Sequence, residues 1–365
     1  MFARLAHPLV LGLVASSAVA CASQAPDESA ANDASSQLVA LVSVEQLEAG
    51  GSTRTNVSAK FLRHGDTDRD AIDRVIGGRP NLPSAGECVP LRELDWESRP
   101  GEPRDLESAV SDARSLADLV RQLDGSRGFE GVRGGLELLD VGDVILRVRD
   151  ASSDQGDGAR ADLWLAPRAF PDVGEVVSGV FYTSPDASQP IPVPARYAVS
   201  GTGSSSADPF VLELSAPAAL DALTIDGASV SPPRAPAEPG LEPAPTEHAL
   251  VARPGRDLVL AWSPAVGASD LVYVDIGGAE PHRCTFIDDG HAILPGALID
   301  ADPRAPASEL QLSVHRFREL RESIATSEPR ASGDEPATAL VRFDLGRTVR
   351  LDLSATGAEP VTREP

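Results

Sequence analysis

The sequence predicts a mainly β protein: antiparallel, immunoglobulin-like β-sandwich domains with one inserted α-helix. Three observations predict it. Aromatic residues are only 4% of the chain while Gly and Pro stand at 31 each, a composition of short strands joined by turns. From residue 136 onward, apolar side chains recur at every second position, as Val144, Leu146 and Val148 do around Ile145, Arg147 and Arg149; that is the period of a strand. One segment, residues 105–123, instead spaces Leu106, Val110, Ala113, Ala117, Val120 and Leu123 by threes and fours, as an amphipathic helix does.

The first elements follow an export segment. Arg4 precedes an apolar run at residues 9–20 that is too short for a mature membrane span. Ala18-Val19-Ala20 then leads into Cys21. This resembles the lipobox of bacterial lipoproteins, with Ala18 where Leu is usual, and it implies acylation of the Cys21 thiol. Ala18-x-Ala20 also suits ordinary signal peptidase, which would release a soluble product. Residues 1–20 are thus read as a signal peptide. Residues 21–37 are small, polar and acidic, a flexible tether that cannot bury enough surface to order itself. Ala22 behind the cysteine favours sorting to the outer membrane over inner-membrane retention.

Strands are expected at residues 38–44 and 57–62, with a turn at Gly50-Gly51. Residues 79–103 are Pro-rich and irregular. The helix at 105–123 follows, capped by Asp105 and closed by Gly125. Further strands are expected at 161–165, 176–182, 196–199 and 210–214, completing a β-rich domain over residues 38–230. Residues 231–247 hold prolines and acids and form a semi-rigid linker. Residues 248–365 then carry about seven strand patterns, the number an immunoglobulin-like sandwich requires: 258–262, 271–276, 284–287, 291–294, 310–317, 339–345 and 349–353. Asp288-Asp289-Gly290 reads as a hairpin turn between two of them, and Pro295 as the start of a one-turn helix.

Several of these segments carry a resemblance. LDVGDVIL at residues 139–146, YAVSGTG at 197–203, LVLAW at 258–262 and CTFIDDGHAILPGAL at 284–298 are similar to a group of uncharacterised exported bacterial proteins. The resemblance implies a secreted, β-rich architecture and no particular activity.

Charge narrows the function. The chain has 365 residues, with 32 basic and 55 acidic side chains and a net charge of −23; Lys60 is its only lysine. Such a field repels nucleic acid. Hydrophobic residues are 42% of the chain, ample for a core.

Four sets of residues invite chemistry. FLRHGDT at residues 61–67 resembles the R-H-G-x-T signature of histidine phosphatases, which implies His64 as nucleophile and Arg63 as phosphoryl clamp. That chemistry needs a second histidine on an α/β fold, and the downstream chain does not alternate strands with helices. Asp66, Asp68, Asp70 and Asp73 sit at spacings that let carboxylates converge on Ca²⁺. Ala71 and Gly77 depart from the calcium-loop pattern, and a solvated acidic loop is the alternative. His282, Cys284 and His291 are three zinc-type ligands near one turn, or else scattered histidines and a buried thiol. Cys88 and Cys284 are the thiols left beside Cys21; export permits a disulfide between them, and buried free cysteines are the alternative. The sequence contains no nucleophile elbow, phosphate-cradling Gly loop, CxxC or HExxH.

The functional expectation is an exported, lipid-anchored outer-membrane protein with a non-catalytic structural or binding role. It is expected to use no cofactor, to meet the membrane through its N-terminal lipid, and to bind a protein or glycan rather than nucleic acid. A calcium-dependent adhesin or glycan-binding module built on Asp66 to Asp73, and a phosphatase using His64, are its alternatives.

Overall fold

The computed structural model describes residues 37–64, 81–94, 136–150, 159–173, 177–186, 191, 195–220, 222–230, 249–265, 270–278, 280–299, 309–326 and 337–353. The chain is mainly β, built on large, predominantly antiparallel sheets. The expected helix at residues 105–123 and linker at 231–247 lie outside the described residues, as do the export segment, Cys21 and Asp66, Asp68, Asp70 and Asp73.

Strands β1 (Gln37–Ala49) and β2 (Ser52–His64) form a hairpin paired along its whole length, from Ala49 opposite Ser52 to Gln37 opposite His64. Its two-residue loop, Gly50-Gly51, has φ of +55° and +75°. Positive φ at both positions is the type I′ geometry whose twist suits an antiparallel pair. Each strand is longer than its apolar run. The polar ends persist because β1 also lies parallel to β19 (Thr338–Asp352), from Val39 opposite Thr338 to Glu48 opposite Arg347, so its backbone groups are satisfied on both edges.

The middle of the chain adds β4 (Leu136–Leu138), β5 (Val144–Asp150), β6 (Ala159–Val173), β7 (Val177–Thr183), β8 (Ala195–Gly201) and β9 (Phe210–Ser215). The first part of β6 pairs with β5 and the second part with β7, which in turn pairs with β2. β5, β8 and β9 pair in that order. β17 (Glu309–Ser323) pairs with β19, and β18 (Ala325–Thr326), which follows β17 after Ile324 alone, pairs with β9. The path of pairings that runs from β17 through β19 and β1 therefore ends on β18, the stretch of chain just past β17. It encloses a first core that includes Val42, Phe61, Tyr182, Val199, Phe210 and Phe343. Phe61 anchors it, with ring centroids 5.8 Å from Tyr182 and 5.0 Å from Phe210.

A second core lies between two layers. One layer is a four-stranded sheet of β10 (Thr224–Ile225), β11 (Ala228–Ser229), β13 (Leu258–Ala261) and β16 (His291–Leu294). The other comprises β14 (Leu271–Ile276), β15 (His282–Ile287) and the near halves of β17 and β19. Leu258, Leu260 and Leu294 of the first layer cluster with Val272, Val274, Leu312 and Val349 of the second. β12 (Leu250–Val251) pairs with β19, and β3 (Cys88–Pro90) with the outer edge of β15. The 15-residue strands β17 and β19 feed both cores: β19 gives Val341 and Phe343 to the first and Val349 and Leu351 to the second.

Two expectations about local structure are corrected. Residues 339–345 and 349–353 are not separate strands, because β19 continues through Gly346. A Cβ at Gly346 would lie 2.6 Å from the His315 ring, so this glycine marks a close approach rather than a turn. Asp288-Asp289-Gly290 is not a hairpin turn either, because β15 pairs with β14 and β3 while β16 pairs with β13. The turn carries the chain from one layer to the other. The one-turn helix after Pro295 is a 3₁₀ turn at Gly296–Leu298.

Candidate functional site

The densest group of buried polar side chains lies on the sheet face turned away from the second core. Alternation along three strands places it there. In β14 the core-facing Val272, Val274 and Ile276 alternate with Tyr273 and Asp275; in β17 Leu312 and Val314 alternate with Ser313 and His315; in β19 Asp344 and Gly346 take the same face. Register then aligns them. Tyr273 lies opposite Thr285 of β15 on one side and His315 on the other, and His315 lies opposite Gly346.

The contacts are specific. The Tyr273 hydroxyl donates to Asp344 Oδ2 at 2.5 Å, and His315 Nδ1 is 2.8 Å from Asp344 Oδ1. The Tyr273 and His315 rings stack at 4.5 Å between centroids, with planes 10° apart. On the β15 side the Arg283 guanidinium carbon stands 4.6 Å from the Tyr273 ring centroid. Arg283 is fully buried. It donates to both carboxylate oxygens of Asp275, at 2.8 Å from Nε and 3.1 Å from Nη2, and from Nη1 to the Asn81 carbonyl. β14 lies between β15 and β17, so the Tyr273 ring is held between a guanidinium and an imidazole, an arrangement that favours the cation over the ring face.

Charge follows from these contacts. Burial tends to raise the Asp344 carboxyl, but the His315 imidazole, hydrogen bonds from His315 and Tyr273, and the Arg283 charge outweigh it and hold the group below its ordinary value. Burial, with the Asp344 and Asp275 charges, pushes the Tyr273 hydroxyl well above its ordinary value. An ionised Asp344 can only accept, so His315 Nδ1 is the donor in their hydrogen bond. His315 Nε2, on the other side of the ring, is buried and has no hydrogen-bond partner among the described residues. The arrangement couples an oriented imidazole to a carboxylate, the pairing used in acid–base dyads, with its Nε2 enclosed.

A second buried group joins the layers. Arg316, fully buried, donates from Nη1 to the Ala218 and Ala219 carbonyls at 2.7 Å each, and from Nη2 to the Ser263 carbonyl at 2.6 Å and Asp288 Oδ1 at 3.2 Å. Its Nε stands 2.8 Å from Asp288 Oδ2 in an ion-pair contact rather than a hydrogen bond. Trp262 Nε1 also donates to Asp288 Oδ1, at 2.6 Å. The acidic turn thus serves as a polar fastener between the two layers, through Arg316 of β17 and Trp262 just past β13.

The residues singled out by sequence fall elsewhere. Cys88 and Cys284 are register partners on β3 and β15 and are joined by a disulfide, S–S 1.99 Å. The Cys284 sulfur is therefore not a thiolate ligand. His282 Nδ1 lies 2.8 Å from the Glu280 carbonyl, while His291 is exposed and 3.1 Å from Asp289, so the zinc-type trio is not assembled. Among the described residues no three His, Cys, Asp or Glu side chains gather as a metal site. His64 is the last residue of β2, opposite Gln37. Cys21 and the calcium-loop candidates Asp66, Asp68, Asp70 and Asp73 lie outside the described residues. Tyr273, Asp275, Arg283, His315 and Asp344 were not singled out by sequence. Their signal was a polar residue at each alternate position of an apolar strand, which gives a face but no partner.

No known protein family matches this chain, and no curated protein is similar to it in sequence.

Proposed function

We propose that this is an exported cell-envelope protein, anchored in the outer membrane by a lipid on Cys21, with a non-catalytic structural or binding role. In this reading residues 248–365 form an immunoglobulin-like sandwich, a view supported by the share of the second core's two layers that β13 to β17 and β19 supply. The observation that carries the reading is the pairing of Cys88 with Cys284 in a chain that opens with Arg4, an apolar run and Ala18-Val19-Ala20-Cys21. Disulfides persist in oxidising compartments, and an export signal leads to one. The buried polar groups support a structural role for the site: the Asp344, Asp275 and Asp288 carboxylates each tie neighbouring strands or layers together.

The test is the intact mass of the mature protein taken from the membrane fraction, before and after reduction. The expected mass is that of a chain starting at Cys21 plus acyl groups, gaining two hydrogen atoms when the reductant splits the disulfide into two thiols. An unmodified chain in the soluble fraction would overturn the anchor. A hydrolytic activity abolished by His315→Ala or His64→Ala, with the fold intact, would overturn the non-catalytic role.

A further inference from the structure

The outer face of the run β6–β5–β8–β9 carries side chains that the first core does not explain. Trp164 of β6 is 57% exposed, whereas Trp262 is buried. An indole in water has apolar area that a partner can still bury. Trp164 does not stand alone. It lies opposite Ile145 of β5, Ile145 opposite Ser200 of β8, and Ser200 opposite the exposed Val211 of β9. A row headed by an aromatic ring, apolar at three of its four positions, therefore crosses four strands.

Positive charge gathers at one end of this face. Arg147 follows Ile145 by two residues and Arg149 by four, and both are exposed. Arg149 lies directly opposite Arg196 of β8, which is also exposed. Like charges opposed across a ladder repel, and among the described residues no ion pair offsets either one. Two arginines at register-paired positions can turn their guanidinium groups onto one carboxylate, sulfate or phosphate. The chain's net charge of −23 acts against polyanions at a distance. At physiological salt, however, charges beyond about 8 Å are screened, so a ligand seated on this face meets the arginines first.

We infer that this face binds an anionic glycan, with a sugar ring on Trp164 and an acidic group between Arg149 and Arg196. The two anchors are four residues apart along β5, roughly 13 Å, the reach of a short oligosaccharide. Asp162, opposite Arg147, and Glu213, opposite Ala198, are exposed on the same face and accept hydrogen bonds from sugar hydroxyls. A protein partner of stable affinity needs a broader apolar centre than one indole and two aliphatic side chains supply. This inference deepens the binding reading above and rests on it. Its test uses purified mature protein, so a failed titration leaves the measurement of the anchor standing.

The experiment is a fluorescence titration with polygalacturonate, dextran sulfate, neutral dextran and polyaspartate. Saturable quenching is expected with polygalacturonate or dextran sulfate, and the responding polymer identifies the acidic group. Trp164→Ala removes the quenching and, in a calorimetric titration, weakens binding about tenfold. The double variant Arg149→Gln, Arg196→Gln weakens binding and flattens its salt dependence. These side chains are exposed, so each variant keeps the thermal midpoint of the parent, which is measured alongside. Equal binding of neutral dextran would overturn the anion site at the two arginines. Equal binding of polyaspartate would overturn the glycan in favour of an acidic protein surface. Unchanged binding in Trp164→Ala, or no binding of either anionic polymer, would overturn the site.

Discussion

At the scale of single residues, the Tyr273–His315–Asp344 group depends on a missing side chain. Gly346 leaves the space that the His315 ring occupies. Gly346→Ala should destabilise by roughly 1–3 kcal/mol, the range for overpacking, as read from the urea midpoint. The loss should shrink when His315→Ala is added, since contacting residues couple; strictly additive losses would show that the ring is not the obstacle. Asp344 gives an acid prediction. Its carboxyl is held below its ordinary value in the folded chain, so the unfolded chain takes up the proton first as pH falls. The stability Asp344 contributes is complete above about pH 4, the unfolded value, and is lost as pH drops through the lower folded value. Asp344→Asn should lower stability at neutral pH and flatten its fall in acid, in urea titrations from neutral to about pH 2. Tyrosine gives the alkaline counterpart. The chain has three tyrosines, and burial raises all of them: Tyr182, Tyr197 and Tyr273. Stability should therefore fall as pH rises above about 10. Phenolate absorbance should appear with unfolding and not before it; a tyrosine that titrates in the folded protein contradicts this burial.

At the scale of elements, turns and fasteners carry distinct loads. The β1–β2 hairpin relies on positive φ at Gly50 and Gly51, and a Cβ at either glycine would meet nothing within 4 Å. The cost of Gly50→Ala or Gly51→Ala is thus conformational, about 1–2 kcal/mol each, and Asn at either position should recover part of it. The Arg316–Asp288 pair behaves differently because both side chains are buried, at 0% and 2% exposure. Arg316→Met leaves a buried carboxylate without its countercharge and three carbonyls without their donor, and should cost about 3–5 kcal/mol in the same urea assay. Losses in the reverse order would mean that water reaches the turn. Much of this scale was legible beforehand. The alternation of β5, β9, β13 and β14 marked strands, and Gly50-Gly51 marked a turn. The full length of β19 was not legible, because a glycine between two apolar runs looks the same at a bend as at a close approach.

At the scale of the molecule, long-range pairings set the architecture. β1 lies against β19, and the Cys88–Cys284 bond spans a sequence separation of 196 residues. In the chain-entropy picture a loop of that length contributes up to about 5 kcal/mol. Reduction, or the double variant Cys88→Ser, Cys284→Ser, should therefore shift the urea midpoint downward far more than an exposed substitution does. An unchanged midpoint would mean that the β3–β15 pairing holds without the bond.

Local periodicity by itself determined that this chain is mainly β, where many of its strands run, and which side chains alternate onto a polar face. Those are properties of neighbours in sequence, and a period of two records them directly. Tertiary structure alone decided that Tyr273, His315, Asp344 and Arg283 meet, that Cys284 faces Cys88, and that Asp288 reaches Arg316 and Trp262. Each depends on the register between strands distant in the chain. A slip of one residue would turn every side chain to the opposite face, and alternation within a single strand carries no information about that register.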